Sequence, residues 1–350
     1  MFYVYTNSKK DFFSLKINLP FKVVYDFTKF LSIDSKNKVV FYKDKLFVNE
    51  DKIDSDNTVN EYKKICENNF LVFAINSEYF EEYINLFDKL STFQNLYILR
   101  PSLLNYKSMF NFLHNPHFFY WQKKLYENED TILEKVFFKK EKHYYFDCLL
   151  GRKKLHRDFI NLQYTNSTNK NKIIFNYSDI KAETWINVTD IQMLTPTNYA
   201  HSIYTTAPVS FNNKYCTISQ VVPIDIYEQS AYSIVAETFY SNFYSYFTEK
   251  TAKPLLCKRL FIVFSGKHFL KNLKKLGFKT FDTIIDETYD DIEDNKLRWE
   301  EAWKQVEFLC NISQNEVYKK IQPIVEHNYK VITQTKWLEN VGNEVKNIIL

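Results

Sequence analysis

Residues 233–281 read SIVAETFYSNFYSYFTEKTAKPLLCKRLFIVFSGKHFLKNLKKLGFKTF, and their pattern sets the fold class. Ser233–Ala236 is short and apolar, as a parallel strand buried on both faces is. Thr248 suits the N-cap of a helix opening Glu249-Lys250-Thr251, and a helix N-terminus is a ready site for anions. Leu260–Phe264 reads as a second buried strand. Gly266 then turns the chain into a helix over Lys267–Leu276, and Gly277 stands where a C-cap favours a left-handed residue. A third strand is expected toward Phe281. Alternation of this kind predicts an α/β fold with a parallel sheet whose functional groups sit at the carboxyl ends of its strands. Glu237 and Glu249 fall beside the first two connections.

Upstream, His143–Leu150 (HYYFDCLL) is a strand running into Gly151-Arg152-Lys153-Lys154-Leu155-His156-Arg157, with a helix over Asp158–Tyr164. A glycine and basic residues at a helix start suit a phosphate. The amides face the anion, and an arginine can fork onto two of its oxygens.

The first 140 residues carry a second alternating pattern. Lys38–Lys43 and Lys45–Val48 read as strands, Glu61–Glu67 as helical, and Phe70–Ile75 as a buried strand. Glu78–Leu90 has helical apolar spacing, and Leu96–Leu99 is the next strand, closed by Arg100-Pro101. Strand, helix, strand of this length is a βαβ unit. Tyr106–Leu113 and Phe118–Tyr126 read as helices. The expected organisation is therefore a Rossmann-like domain over residues 1–140 and a second one over 141–350. Between Ile173 and Val222 the chain reads as strands and loops (KIIFNY, WINVTDIQML, SIYTTAPVSF, YCTISQVVPIDIY). From Asp294 it is helical, with Trp299, Ala302, Trp303, Val306 and Leu309 on one face, and the last helices are expected to cross back to the first domain.

The words Val235-Ala236-Glu237-Thr238 and Tyr246-Phe247-Thr248-Glu249-Lys250 resemble the donor half of GT-B glycosyltransferases. They are most similar to the α1,3-fucosyltransferases, whose F-E-N-S element precedes Y-I-T-E-K-L-W, and exostosin-type transferases start a helix similarly. TEKTAKPLL through LGFKTFDTIIDETYDDI, with the Gly-Arg-x-x-x-His-Arg word at residues 151–157, also resembles uncharacterised phage and giant-virus proteins labelled glycosyltransferase-like. The resemblance implies two Rossmann-like domains facing a cleft, the first for the acceptor and the second for a nucleotide-sugar donor. It implies donor contacts from Arg152, His156, Arg157, Glu237, Thr248, Glu249 and Lys250. Glu249 would take the ribose diol, and Lys250 with Arg157 the diphosphate. Arg157 is favoured over Arg152 for the pyrophosphate. Glu237 either lines the pocket or caps the next loop.

No DxD motif is evident, so metal-independent transfer without a further cofactor is expected. A catalytic base, if the enzyme inverts, is expected from the first domain; His114, His117 and Glu78 are candidates by residue type only. The acceptor is either a glycan or a hydroxymethylated base of viral DNA. The alternative is a non-catalytic nucleotide-sugar or glycan-binding protein of the same fold.

Composition narrows the rest. With 4 Gly in 350 residues, glycine-rich phosphate loops are close to excluded. The 32 Phe and 26 Tyr accompany abundant Lys, Asn and Ile, a bias that favours core aromatics over base-stacking platforms. A net charge of +4 permits an anionic ligand without arguing for one. Five widely spaced cysteines without a CxxC pair predict buried reduced thiols, and His and Cys never fall at zinc-ligand spacing. Without a signal pattern or a long apolar run, the chain reads as soluble and cytoplasmic, in the host cytoplasm if viral.

Overall fold

The computed structural model describes residues 1–6, 16–43, 60, 63–68, 70–75, 92–100, 102–105, 111–151, 153–177, 208–211 and 214–350. It is a mixed α/β structure with parallel sheets. The chain divides into two compact units, one comprising Met1–His117 and Lys336–Leu350, the other Phe118–Thr335.

The first unit is built on strands β1 (Phe2–Thr6), β2 (Phe21–Val24), β3 (Lys38–Lys43), β4 (Leu71–Ile75), β5 (Leu96–Arg100) and β7 (Asn111–His114), with a short strand β6 (Ser102–Leu104) between the last two. They lie in the order β2-β1-β3-β4-β5-β7, every pair parallel. This is a doubly wound order, with the direction of winding reversed between β1 and β3. Helix α1 (Phe27–Leu31) is capped by the Asp26 carboxylate, which accepts from the Lys29 amide. The core gathers Val4, Val39, Phe41, Phe73, Leu99 and Leu113, with Phe41 stacked on Phe73. Val341, Val345 and Ile349 join it from α10 (Trp337–Ile349), the last helix of the chain, so both ends of the sequence build this unit.

One element here differs from expectation. The sequence reads as helical over Tyr106–Leu113, but Asn111–His114 is a strand beside β5, with Leu113 facing the core. Four residues are too few for periodicity to separate strand from helix, and the partner strand decides. Lys45–Val48, Glu78–Leu90 and residues 178–207 lie outside the described residues.

The second unit begins at Phe118, the second residue of α2 (His117–Leu125), and goes on to α3 (Asp130–Val136), both of which precede residue 141 in sequence. They belong here by packing: Phe119 lies against Phe247 and Phe278, and the Tyr126 hydroxyl accepts from the Val222 amide at 2.6 Å. The sheet consists of β8 (Tyr144–Leu150), β9 (Ile173–Tyr177), β12 (Ser230–Ala236) and β14 (Phe261–Phe264), in the order β14-β12-β8-β9 and all parallel. Helix α4 (Leu155–Asn166) links β8 to β9, while α6 (Glu249–Leu256) links β12 to β14. Every residue of β12 is buried, as befits a central strand covered on both faces. A hairpin of β10 (Pro208–Phe211) and β11 (Lys214–Thr217), helix α5 (Ile224–Gln229) and short strand β13 (Tyr244–Tyr246) complete the middle of the unit. Then come α7 (Phe269–Lys275), α8 (Asn295–Leu309) and α9 (Gln314–Gln334).

Two further corrections concern this unit. No third strand forms toward Phe281. Phe278 and Phe281 are buried, while the Lys279 amide and carbonyl both pair with the side-chain amide of Asn328, at 2.8 Å each. One asparagine thus supplies what a neighbouring strand would. The run ending PIDIY is helical after Pro223, whose carbonyl accepts from the Tyr227 amide at 2.9 Å. Asp290 is buried and accepts from the Leu270 and Lys271 amides, closing the start of α7.

The amino end of this sheet holds an ion pair that the sequence did not reveal. Arg259, just before β14, donates to Asp147 of β8 at 2.6 Å and to carbonyls of Tyr227, Ser230 and Tyr232, stacked 3.9 Å from the Tyr227 ring. Ser230 and Ser233 donate to the same Asp147 oxygen. Every nitrogen of the guanidinium is met, which makes a buried ion pair tolerable. All five cysteines are buried and unpaired. No helix among the described residues is long and apolar enough to cross a membrane.

Candidate functional site

In the second unit the winding reverses at β8: β9 lies on one side of it and β12 on the other. In open parallel sheets ligands bind beyond the carboxyl ends of the strands at such a switch point. Leu150 ends β8, and Ala236 ends β12. The segments leaving these two strands carry Lys154, His156 and Arg157 on one side and Glu237 and Thr238 on the other.

Glu237 is wholly buried and is the hub of the arrangement. One carboxylate oxygen accepts from the Thr248 amide at 3.2 Å and the Thr251 hydroxyl at 2.5 Å. The other accepts from the Thr248 hydroxyl at 2.6 Å and the Thr238 amide at 3.1 Å. Burial raises its pKa above the ordinary carboxylate range, while Lys250 and the two threonine hydroxyls pull the other way. Thr248 caps α6 by accepting from the Lys250 amide at 3.3 Å. Glu237 therefore fixes the N-terminus of α6 through the residue that caps it. Of the two sequence readings, its geometry is that of the loop cap.

The backbone carbonyl of Glu237 is met from β8's side. His156 lies 2.8 Å from it through Nε2, and the Arg157 guanidinium 3.5 Å. Burial, then the neighbouring Arg157 charge, holds the His156 pKa well below its usual value, so the ring is neutral. A neutral ring facing a carbonyl must donate through Nε2, which leaves Nδ1 a bare acceptor. Among the described residues no hydrogen-bond partner meets that atom. The ring packs against Tyr240 and Trp299. Arg157 is buried; burial lowers its pKa, opposed by the charges of Glu249 and Glu237.

Two ammonium groups converge on Thr238. Lys154 donates to its carbonyl at 2.6 Å and lies 4.8 Å from the Phe239 ring, while Lys250 donates to its hydroxyl at 3.2 Å. Lys250 also pairs with Glu249 at 2.6 Å. Burial works to raise the Glu249 pKa, but the charges of Lys250 and then Lys253 outweigh it, and the carboxyl stays below its usual range. Lys253, one turn along α6, donates to the Ser219 carbonyl at 2.6 Å.

The structure thus brings together His156, Arg157, Glu237, Thr248, Glu249 and Lys250. Arg152 and Glu78 lie outside the described residues. His114 and His117 belong to the first unit, His114 at the end of β7 and His117 exposed at the start of α2. Sequence reasoning missed Lys154, Thr238, Thr251 and Lys253. Lys154 stood in the basic run, and Lys253 follows Glu249 by four residues, a spacing that places both on one helix face. Nothing in the sequence marked the two threonines. Among the described residues no group of three or more His, Cys, Asp or Glu side chains is placed to hold a metal ion. A comparison of the chain with protein-family models and with curated proteins finds no match.

Proposed function

We propose that the chain is a glycosyltransferase of the GT-B type, moving a sugar from a nucleotide donor to an acceptor hydroxyl without a metal ion, with the donor held by the second unit. The observation that carries this reading is the convergence of Lys154, Arg157 and Lys250 beside the capped N-terminus of α6, at the switch point of a parallel sheet. Such a grouping suits a diphosphate, whose negative charge grows as the glycosidic bond breaks. Cations and amides already in place lower the energy of that departure. Glu249, held ionised, suits a ribose diol, which needs two acceptors. Glu237 has no oxygen to spare and acts by positioning Thr248 and the α6 amides. The first unit is assigned to the acceptor, a glycan or a hydroxymethylated base.

The test is a thermal-stability screen of the full chain with UDP-, GDP-, ADP- and CMP-sugars, followed by transfer and donor-hydrolysis assays with whichever stabilises it. Stabilisation together with turnover supports the assignment. Stabilisation without either reaction would reduce the protein to a nucleotide-sugar binder, and no stabilisation by any donor would reject the reading.

A further inference from the structure

We propose that the second unit holds a further ligand site, a cavity at the amino end of its sheet that takes a small anion with an apolar body. The cavity measures about 670 Å³. It is lined by Thr283 and Ile284 of the connection after α7, by Phe308 and Ile312 at the end of α8, and by Glu316, Lys319 and Lys320 of α9. All of these belong to the second unit. Helix α8 runs against the strands, which places the cavity away from the donor cluster. Arg298 and Trp299, near its start, donate to the Ser265 carbonyl just past β14. Cys310, just past its end, accepts from Lys172 ahead of β9, and Gln314 bonds to Lys142 and Tyr144 where β8 begins.

The walls are held in place. The Ile284 amide donates to the Phe281 carbonyl at 2.9 Å, and the Asp286 amide donates to Gln305 of α8 at 3.1 Å, tying the connection to that helix. A cavity of this size with apolar walls and a few polar groups has the usual form of a small-molecule site. Phe308 leaves 46% of its surface in water, and Ile284 and Ile312 are only partly buried, so an apolar body seated there removes hydrocarbon from solvent. Charge selects the rest of the ligand. Glu316 precedes Lys319 by three residues and Lys320 by four, spacings at which helices pair opposite charges. Yet among the described residues neither ammonium lies within ion-pair distance of a carboxylate. The acids of the neighbouring connection are engaged elsewhere: Asp282 pairs with Lys274, Asp286 accepts from the Thr288 amide, and Glu287 accepts from Thr280 and the Phe281 amide. Two ammonium groups against one carboxylate leave a positive charge beside an apolar surface. A carboxylate or phosphoryl group on a hydrocarbon or aromatic body meets both. The site stands whether or not the chain transfers sugar.

The experiment titrates the full chain with anilinonaphthalene sulfonate, a fluorescent anion with an aromatic body, and then displaces it with decanoate, decyl phosphate or neutral decanol. It uses the wild type, Phe308→Ser, the double variant Lys319→Gln with Lys320→Gln, and the donor-cluster variant Lys154→Ala. Phe308, Lys319 and Lys320 are exposed, so replacing them spares the fold. The expected result is saturable binding in the wild type, kept in Lys154→Ala and weakened roughly fivefold or more both in Phe308→Ser and in the double variant. At least one of the two decyl anions displaces the probe at a concentration roughly fivefold or more below that needed with decanol. The better of the two assigns the carboxylate or the phosphoryl group. No saturable binding in the wild type would overturn the proposal. So would wild-type affinity in Phe308→Ser or in the double variant, loss of binding in Lys154→Ala, or displacement by decanol as readily as by both anions.

Discussion

Glu237 shows how much one buried carboxylate can organise. Four donors converge on its two oxygens, and two of them are backbone amides, one on each oxygen. A glutamine there would have to turn its own N–H groups toward one of those amides. Glu237→Gln should therefore lose about 1–3 kcal/mol in chemical denaturation, the cost of an unmet buried donor; an unchanged midpoint would show that the hub is dispensable. Lys142 is a second residue whose environment has a consequence. Its amine donates to the carbonyls of Val136 at 2.8 Å and Tyr227 at 2.6 Å, and burial, aided by the Arg259 charge, pushes its pKa down to about 7. In the unfolded chain a lysine titrates near 10.4. Between these values the unfolded state carries a proton that the native state lacks, so stability rises with pH through that window. The contribution is complete above the unfolded pKa and is lost as pH falls through about 7. Comparing the pH dependence of unfolding in wild type and Lys142→Met should show that slope only in the wild type. Equal slopes would contradict it.

At the scale of elements, what the sequence made legible had a local cause. Thr248 before Glu249-Lys250 is an N-cap by residue type, and the helix starts there. Gly277 adopts φ +91°, the left-handed region that its place after a helix required. The short apolar runs Ser233–Ala236 and Leu260–Phe264 hold the neighbouring parallel strands β12 and β14. What stayed hidden had a distant cause. β7 is a strand because β5 lies beside it. Residues near 279 are not a strand because Asn328, far along the chain, takes their hydrogen bonds. Arg259 and Asp147 pair across more than a hundred residues. The site divides in the same way: Glu249, Lys250 and Arg157 carried a local pattern, whereas Thr251 and Thr238 acquire their roles only when Glu237 reaches them. Gly266 is another tertiary constraint. A Cβ at that position would sit 1.7 Å from the Ser241 carbonyl oxygen, a backbone atom with little freedom to retreat. Gly266→Ala should lose more than about 4 kcal/mol in denaturant unfolding, placing it among the severe substitutions. A near-neutral result would mean that the loop before β13 can move aside.

At the scale of the molecule, two units repeat one winding scheme, with strand order 2-1-3-4 in the second and the same order extended in the first. The first is completed by α10, whose Val341, Val345 and Ile349 enter its core. Deleting residues 336–350 should therefore destabilise the first unit and spare the second. Hydrogen exchange would show this as lost protection in β1, β3, β4 and β5 with β8, β12 and β14 unchanged. Equal loss in both units would contradict that division.

The central claim is that the switch point between β8 and β12 holds the diphosphate of a nucleotide sugar. Isothermal calorimetry of the stabilising donor against wild type, Lys154→Ala and Lys250→Ala tests it most directly; Lys250 is partly exposed, with 28% of its side chain accessible, so its removal should spare the fold. We predict at least tenfold weaker binding in each variant, with the melting temperature of the unliganded protein little changed. Donor affinity equal to wild type in both variants would place the nucleotide elsewhere and contradict the account.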